Sequence, residues 1–336
     1  MKVAAIVLAA GKGTRMKSGL AKVLHPVFHQ PMVGHVVATL ADLQLAQTIV
    51  VVGHQGQAVR DFLAPAGVSF VHQEEQLGTG HAVQICQDSV APDSDTLLIL
   101  CGDTPVLQRA TLAAMLASHV EQQSIVTVLT TKMADPTNYG RIVTDPAGGV
   151  VEIVEEKDAD QETRKIREIN GGVYCVDRSF LFAALDQVGT DNAQGEMYLT
   201  DIVGMARQQG HGVTSYLCPD SDEILGVNSR YELGRAADLL QDRFLRELND
   251  AGVTIQRPAS VAIHPQSAIG NDSTIGAQVH LGPGVSLGRR VQIGPHSYLE
   301  DCQVGDDVVI GPGCHLQGVV VEAGKYVDPG SRILSE

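Results

Sequence analysis

The stretch LAAGKGTRMKSGLAK, Leu8 to Lys22, carries four cations (Lys12, Arg15, Lys17, Lys22) and no acid, in a chain whose formal net charge is -15. No Asp or Glu precedes Asp42, so residues 1–41 hold five of the 24 Lys and Arg and none of the 39 Asp and Glu. Charge segregated in this way focuses an anion onto one loop. The apolar run Val3 to Ala10 feeds directly into Gly11 and Gly13, whose missing side chains let backbone N–H groups approach phosphate oxygens. A buried parallel strand explains that run better than a short secretory signal, because patterned α/β sequence follows without a polar, cleavable gap. The loop is not the dinucleotide fingerprint, since Met16 stands where the third glycine would be, and the spacing of a P-loop before Lys-Ser/Thr is absent. The glycines alone leave two readings open, a different phosphate loop and an ordinary tight turn. Strand, glycines and cations together point to a nucleoside triphosphate.

The rest of the chain bounds that reading. Its 336 residues suggest roughly two domains, and 44% hydrophobic with 19% charged residues is the composition of a soluble globular protein. No uninterrupted apolar stretch approaches the roughly 20 residues needed to span a bilayer, so no membrane partner is expected. The acidic balance excludes nucleic acid as the main partner, because backbone binding needs a basic face. The six cysteines (Cys86, Cys101, Cys175, Cys218, Cys302, Cys314) lack metal-type spacing and read as reduced thiols of a cytoplasmic protein. His25 and His29 are four apart, but Pro26 breaks the helix that would align them on a metal.

From residue 1 to about residue 227 short apolar runs alternate with amphipathic segments. Strands are expected at 2–8, 48–52, 68–71, 96–101 and 125–130, with helices at 32–43, 55–63, 79–89 and 110–122. Such alternation implies an α/β domain, a Rossmann-like, mostly parallel sheet covered on both faces, with ligands over the carboxyl ends of the strands. The glycine loop and Gly102-Asp103 both fall at that edge. A linker helix over 228–252 follows, opened by a capping box of Ser229 and Glu232, with Leu233, Ala237, Leu240, Phe244 and Leu248 as its apolar stripe.

After Ala262 the period becomes six. Ile263, Ile269, Ile275, Leu281, Leu287, Ile293 and Leu299 recur at that spacing, and Val304, Ile310, Leu316, Val321, Val327 and Ile333 continue it with two five-residue steps. This is a hexapeptide solenoid over 253–336, about four coils, with the aliphatics inside and glycine, which follows most of the early ones, permitting the corners. Hexapeptide-repeat proteins, which the segment resembles, form left-handed parallel β-helices.

The glycine loop with Lys22 resembles the signature of sugar-1-phosphate nucleotidyltransferases. QLGTGHA (Gln76 to Ala82), GDTP (Gly102 to Pro105), YGRI (Tyr139 to Ile142), VEEKDA (Val154 to Ala159), EIN (Glu168 to Asn170), NAQGEMYLTD (Asn192 to Asp201) and GVNSR (Gly226 to Arg230) follow in order, before the repeats. The ordered set is similar to the bifunctional bacterial N-acetylglucosamine-1-phosphate uridyltransferase/glucosamine-1-phosphate acetyltransferase family, over essentially the whole chain.

The resemblance implies Mg²⁺-dependent uridylyl transfer from UTP to N-acetylglucosamine 1-phosphate by a nucleotidyltransferase domain at 1–227. It implies that Arg15 and Lys22 are catalytic, contacting the phosphates. It places Leu8, Ala9, Gly11, Gln73, Gln76, Gly78 and Thr79 around the nucleotide, and Gly140, Glu155, Asn170 and Asn228 around the sugar phosphate. Asp103 and Asn228 fall at metal positions. On its own a strand-end Asp is a turn former and an Asn before a helix is a cap, so only the resemblance assigns them to metal. It further implies a homotrimer formed through the β-helix.

Three departures qualify these expectations. The family's acetyl-CoA site lies on later coils, so acetyltransferase activity is expected to be missing. Cys101 stands where close relatives often carry an aromatic, and Gly171 where Thr commonly follows the asparagine. Transfer to another hexose 1-phosphate from UTP or dTTP, or a non-catalytic regulatory or scaffold protein on a retired transferase fold, are the alternatives.

Overall fold

The computed structural model describes residues 2–41 and 43–335. Two compact units divide the chain, Met1–Leu233 and Gly234–Glu336. In the first unit the strands are β1 (Val3–Ala9), β2 (Pro26–Val27), β3 (Gln30–Pro31), β4 (Gln47–Val52), β5 (Ser69–His72), β6 (Thr96–Cys101), β7 (Val126–Lys132), β8 (Arg141–Thr144), β9 (Val150–Val154), β10 (Glu168–Asp177) and β11 (Val213–Leu217). The helices are α1 (Met32–Leu40), α2 (Gly56–Leu63), α3 (Thr79–Gln84), α4 (Arg109–Glu121), α5 (Arg178–Leu185) and α6 (Asp201–Gln208). All five expected strands are present, and a helix lies at each of the four expected places, though the one expected over 79–89 ends at Gln84 and is followed by a short 3-10 turn at Gln87–Ser89. The first helix stops at Leu40, and Asp42, which the sequence pattern included, lies outside the described residues.

The main path of the sheet runs β11-β7-β10-β6-β1-β4-β5, with β8 and β9 attached beside β10. β1 pairs in parallel with β4 and β6, β4 with β5, and β7 with β11; β10 alone on that path runs antiparallel, to β6 and β7. Side chains alternate between the faces of β1. Ala4 and Ile6 enter one core with α3, α5 and α6, while Val3, Ala5, Val7 and Ala9 enter the other with α1, α2 and α4. Two covered faces explain the continuous apolar run of this strand. Strand order reverses at β1: the chain runs from it to β4 and β5 on one side and then crosses to β6 on the other. The carboxyl ends there form the crevice in which such sheets bind ligands.

Helix α7 (Arg230–Asp250) begins on the expected box: Ser229 Oγ donates to Glu232 Oε2 at 2.9 Å and accepts from Glu232 N at 3.2 Å. Its buried residues are Ala236, Leu240 and Leu245 rather than the full stripe read from the sequence; Leu233, Ala237, Phe244 and Leu248 are only half-buried.

Among the described residues of the second unit, fourteen short strands stack in three parallel sheets of five, five and four, a little over four coils. Every expected aliphatic lies in one of these strands, but Ile333, on the last strand, is exposed rather than inside, and Ile269 and Val321 are half-buried; the series starts one rung earlier, at Thr254–Ile255. A second inward row escaped the sequence reading. It lies two residues before the aliphatics and includes Val261, Val279, Val285, Val291, Cys302, Val308 and Cys314, with Ser267, Ser273 and Ser297 also buried. The buried serines are satisfied across coils, as in Ser273 Oγ, which donates to Gly288 O at 3.1 Å and accepts from Val291 N at 3.0 Å. The recurring glycines do not turn the corners. A Cβ on Gly276 would lie 2.7 Å from Pro295 N and 2.8 Å from Ile293 O, so they admit the next coil's backbone. The left-handed corner positions fall to other residues, many not glycine, such as Asp272, Gln278, Arg290 and His296. No helix among the described residues is long and apolar enough to cross a membrane.

Candidate active site

The cationic loop is built to deliver Lys22. Gly13 has φ +59° and a Cβ there would fall 2.5 Å from Lys22 Cβ, so this glycine lets the lysine pass rather than a phosphate approach. Gly11 has nothing within 4 Å of a notional Cβ and leaves the loop open beside the pocket. Buried Met16 pins the turn Thr14–Met16 and leaves Arg15 exposed. Buried Val23 and Leu24 pin the turn Lys22–Leu24. Gln55, which no sequence signal singled out, clamps the intervening backbone: its Oε1 accepts from Ala21 N at 2.7 Å and its Nε2 donates to Gly19 O. Arg230 Nε donates to Met16 O at 3.3 Å. Lys12 and Lys17 stay exposed.

Four of the sequence-derived residues meet at one point. Lys22 forms an ion pair with Asp103 and donates to Asn228 Oδ1 at 2.7 Å; Arg15 Nη2 donates to the same oxygen at 2.8 Å. The strand-end turn holding Asp103 is tied to the segment before α7 by Val227 N donating to Asp103 O at 2.9 Å. Because Ser229 caps α7, Asn228 is not the cap. Its Nδ2 donates to Gly226 O at 3.1 Å, which aims Oδ1 at the cations. One carboxylate and one amide oxygen, already gathered around a cation, suit a hard divalent ion that keeps waters and takes its other ligands from phosphate. Among the described residues no group of three or more His, Cys, Asp or Glu could hold a metal without such help.

Beside this cluster lies a pocket of about 290 Å³, lined by Leu8, Ala9, Gly11, Gln73, Gln76, Gly78 and Thr79 together with Lys22, Cys101, Asp103 and Glu196. All seven residues expected around a nucleotide therefore share one cavity, at the carboxyl ends of β1, β5 and β6. Its amides are held in place: Gln76 Nε2 donates to Ala10 O at 2.7 Å, and buried Gln73 donates through Nε2 to Gly78 O at 3.3 Å. Gly78 has φ +118°, and a Cβ there would lie 2.7 Å from Met197 N, so only glycine fits. Met197 N donates to Leu77 O at 2.7 Å and Leu199 N to Thr79 Oγ1 at 3.1 Å, which packs the GEMYLT segment against this wall.

Gly140, Glu155 and Asn170 form a second group. Asn170 N donates to Gly140 O at 2.9 Å, and a Cβ on Gly140 would sit 3.5 Å from both Asn170 Cβ and Glu155 Oε2. The Asn170 amide is fixed at both ends, accepting from Gly172 N at 2.9 Å and donating to Tyr174 OH at 2.6 Å. Burial raises the Glu155 pKa, opposed by Thr200 Oγ1 donating to Oε1 at 3.3 Å and reinforced by Asp158, Asp201 and Glu196. Burial likewise pushes the Cys101 thiol up to about 12, helped by Asp103, so this cysteine is a neutral wall residue and no nucleophile. Tyr174 and Thr200 were missed from the sequence. Thr200 lies inside the quoted NAQGEMYLTD motif, whereas nothing in the pattern distinguishes Tyr174 from a core aromatic.

Residues 5–191 match the model of the MobA-like NTP transferase domain, and residues 266–301 that of the bacterial transferase hexapeptide with six repeats. The Bifunctional protein GlmU of Desulfotalea psychrophila is 46% identical over 98% of this chain and 97% of its own length. Its namesakes from Heliobacterium modesticaldum and Pelobacter propionicus are 48% and 43% identical, over 92% and 99% of this chain and 67% and 78% of theirs. A solved structure from Bacillus anthracis, described as a glucose-1-phosphate thymidylyltransferase, superposes with a TM-score of 0.58 at 22% identity, over 71% of this chain and 96% of its own, which speaks to the fold alone. With a nucleotidyltransferase sheet, a hexapeptide β-helix and relatives alike over nearly its full length, the chain belongs to the GlmU family and is a nucleotidyltransferase of the UDP-N-acetylglucosamine pyrophosphorylase type.

Proposed function

We propose that the protein transfers the uridylyl group of UTP to N-acetylglucosamine 1-phosphate, forming UDP-N-acetylglucosamine and pyrophosphate, with Mg²⁺ as its cofactor. The observation that carries this reading is the meeting of Arg15, Lys22, Asp103 and Asn228 at the rim of the pocket. A phosphate oxygen of the sugar phosphate attacks the α-phosphorus in line. As that P–O bond forms, the bond to the bridging oxygen breaks and its electron pair leaves with pyrophosphate. The nucleophile is already ionised near neutral pH, so no general base is needed; the protein contributes position and charge. Arg15 and Lys22 bind the phosphates and balance the charge that crowds at the transition state. Asp103 and Asn228 are the oxygens that would hold Mg²⁺, which supplies further charge neutralisation when bound.

Leu8, Ala9, Gly11, Gln73, Gln76, Gly78 and Thr79 enclose the uridine. Gly140 leaves room for the sugar, Glu155 accepts from its hydroxyls, and the oriented amide of Asn170 meets its polar groups. We assign the protein to the cytoplasm, supported by six free thiols, and expect a homotrimer, supported by the hexapeptide repeats. Pyrophosphate release across a panel of nucleoside triphosphates and sugar 1-phosphates tests the choice of substrate. UTP with N-acetylglucosamine 1-phosphate should give the highest kcat/KM; a preference for dTTP with glucose 1-phosphate would overturn it.

A further inference from the structure

Lys22 stands on the two oxygens assigned to the metal. Its ammonium pairs with the Asp103 carboxylate and donates to Asn228 Oδ1 at 2.7 Å, while Arg15 takes a second position on that same oxygen at 2.8 Å. A carbonyl oxygen has two lone pairs, so both positions on Asn228 Oδ1 are filled by cations of the chain itself. We propose that Lys22 occupies the metal position of the nucleotide-free protein as an internal counter-ion, and that a divalent cation is therefore taken up with the nucleotide rather than before it. The proposal rests on the assignment of Asp103 and Asn228 as metal oxygens.

Three features of the chain support it. First, the lysine is placed from its backbone outward. Gly13 makes room for Cβ, Gln55 holds Ala21, and buried Val23 and Leu24 fix the turn, so the ammonium can leave Asp103 only by swinging its own four-carbon stem. Second, the ion pair is screened little by water, the two side chains being 12% and 21% exposed. An ammonium held on both of these oxygens competes with a divalent cation for them, because the two like charges repel at a few ångströms. Third, the described residues offer no cluster of three or more acidic, His or Cys ligands that could outbid the lysine unaided. A triphosphate resolves the conflict in a single event. Its oxygens give Lys22 and Arg15 another anion to hold, which frees Asp103 and Asn228, and they supply the ligands the protein lacks.

Mn²⁺ is the probe, with the unbound ion followed by electron paramagnetic resonance during titration of the full chain, alone and with a non-hydrolysable UTP analogue. The wild type should bind Mn²⁺ poorly alone and well with the analogue. Lys22→Met should raise nucleotide-free Mn²⁺ affinity by about tenfold or more, as expected when a competing charge is removed. Lys22→Arg, which keeps the charge, should not, and Asp103→Ala added to Lys22→Met should erase the gain; Lys22→Gln replaces the Met variant if that one does not fold. If Lys22→Met and Lys22→Gln both bind Mn²⁺ no better than wild type, while the analogue still recruits Mn²⁺ in an Asp103-dependent way, the counter-ion proposal is overturned and the metal assignment stands. Should Mn²⁺ recruitment with the analogue be indifferent to Asp103→Ala, both fall.

Discussion

Arg15 and Lys22, on separate turns of one loop, donate to the same atom, Asn228 Oδ1, at 2.8 and 2.7 Å. The two cations thus act on one volume of space, where the charge of a transferring phosphoryl group would develop. Replacing either by Ala should lower kcat by about 10²-fold or more, the usual cost of removing one preorganised electrostatic partner. The double variant should fall short of the product of the single losses, because the two share a partner. Steady-state pyrophosphate release checks both statements.

Glu155 should impose a pH dependence on sugar-phosphate binding. Burial raises its pKa, so the folded protein holds this proton more tightly than the unfolded chain. Its stabilising contribution is present below the unfolded value and is lost as the pH rises through the folded value. Binding has the opposite need, since an ionised Glu155 is the better acceptor. KM for N-acetylglucosamine 1-phosphate should rise as the pH falls through the raised Glu155 pKa. Glu155→Gln should raise KM by about tenfold at neutral pH, the worth of a hydrogen bond to a charged group, and flatten this limb. The substrate's own phosphate ionises near ~6, so the informative quantity is the difference between the two profiles.

Gly171 is set by its neighbours. A Cβ there would meet Leu129 O at 2.8 Å and Ile224 Cδ1 at 3.0 Å. Gly171→Thr should therefore destabilise the protein by about 1–3 kcal/mol, the range for overpacking a tight site. It should also raise KM for the sugar phosphate more than KM for UTP, because Asn170 is the adjacent residue. Chemical denaturation and substrate kinetics on the same variant provide the check.

In the solenoid, Gly276→Ala should be far costlier than Gly313→Ala. The first puts a methyl group against the backbone of the next coil, at 2.7 Å from Pro295 N; the second meets nothing within 4 Å and bears only a left-handed backbone, φ +70°. We expect about 3 kcal/mol for the clash and about 1 kcal/mol for the strain. Hydrogen exchange of the solenoid amides, compared between the variants, reads the difference without interference from the first unit.

Period and order made much of this legible in the sequence. The six-residue recurrence fixed the solenoid because one aliphatic per strand must point inward, and the strand–helix alternation fixed the sheet because both of its faces are covered. The second inward row at Ser273, Val291 and Cys302 was hidden, since it mixes residue types that carry no shared hydropathy. The antiparallel course of β10 was hidden as well, because direction leaves no mark on composition. At the site, charge segregation exposed Arg15 and Lys22, and the ordered motifs brought out Asp103 and Asn228. Gln55, Tyr174 and Thr200 act by holding backbone or another side chain, and such contacts leave no pattern in the sequence.

The most direct measurement is pyrophosphate release by the purified full chain supplied with UTP, N-acetylglucosamine 1-phosphate and Mg²⁺, set against the same assay of Asp103→Ala. Turnover by the wild type, with a loss of about 10²-fold or more in the variant, is what the site geometry predicts. Equal rates in the two proteins, or no release by the wild type above the variant, would contradict a metal-assisted uridylyl transfer centred on Asp103, Asn228, Arg15 and Lys22.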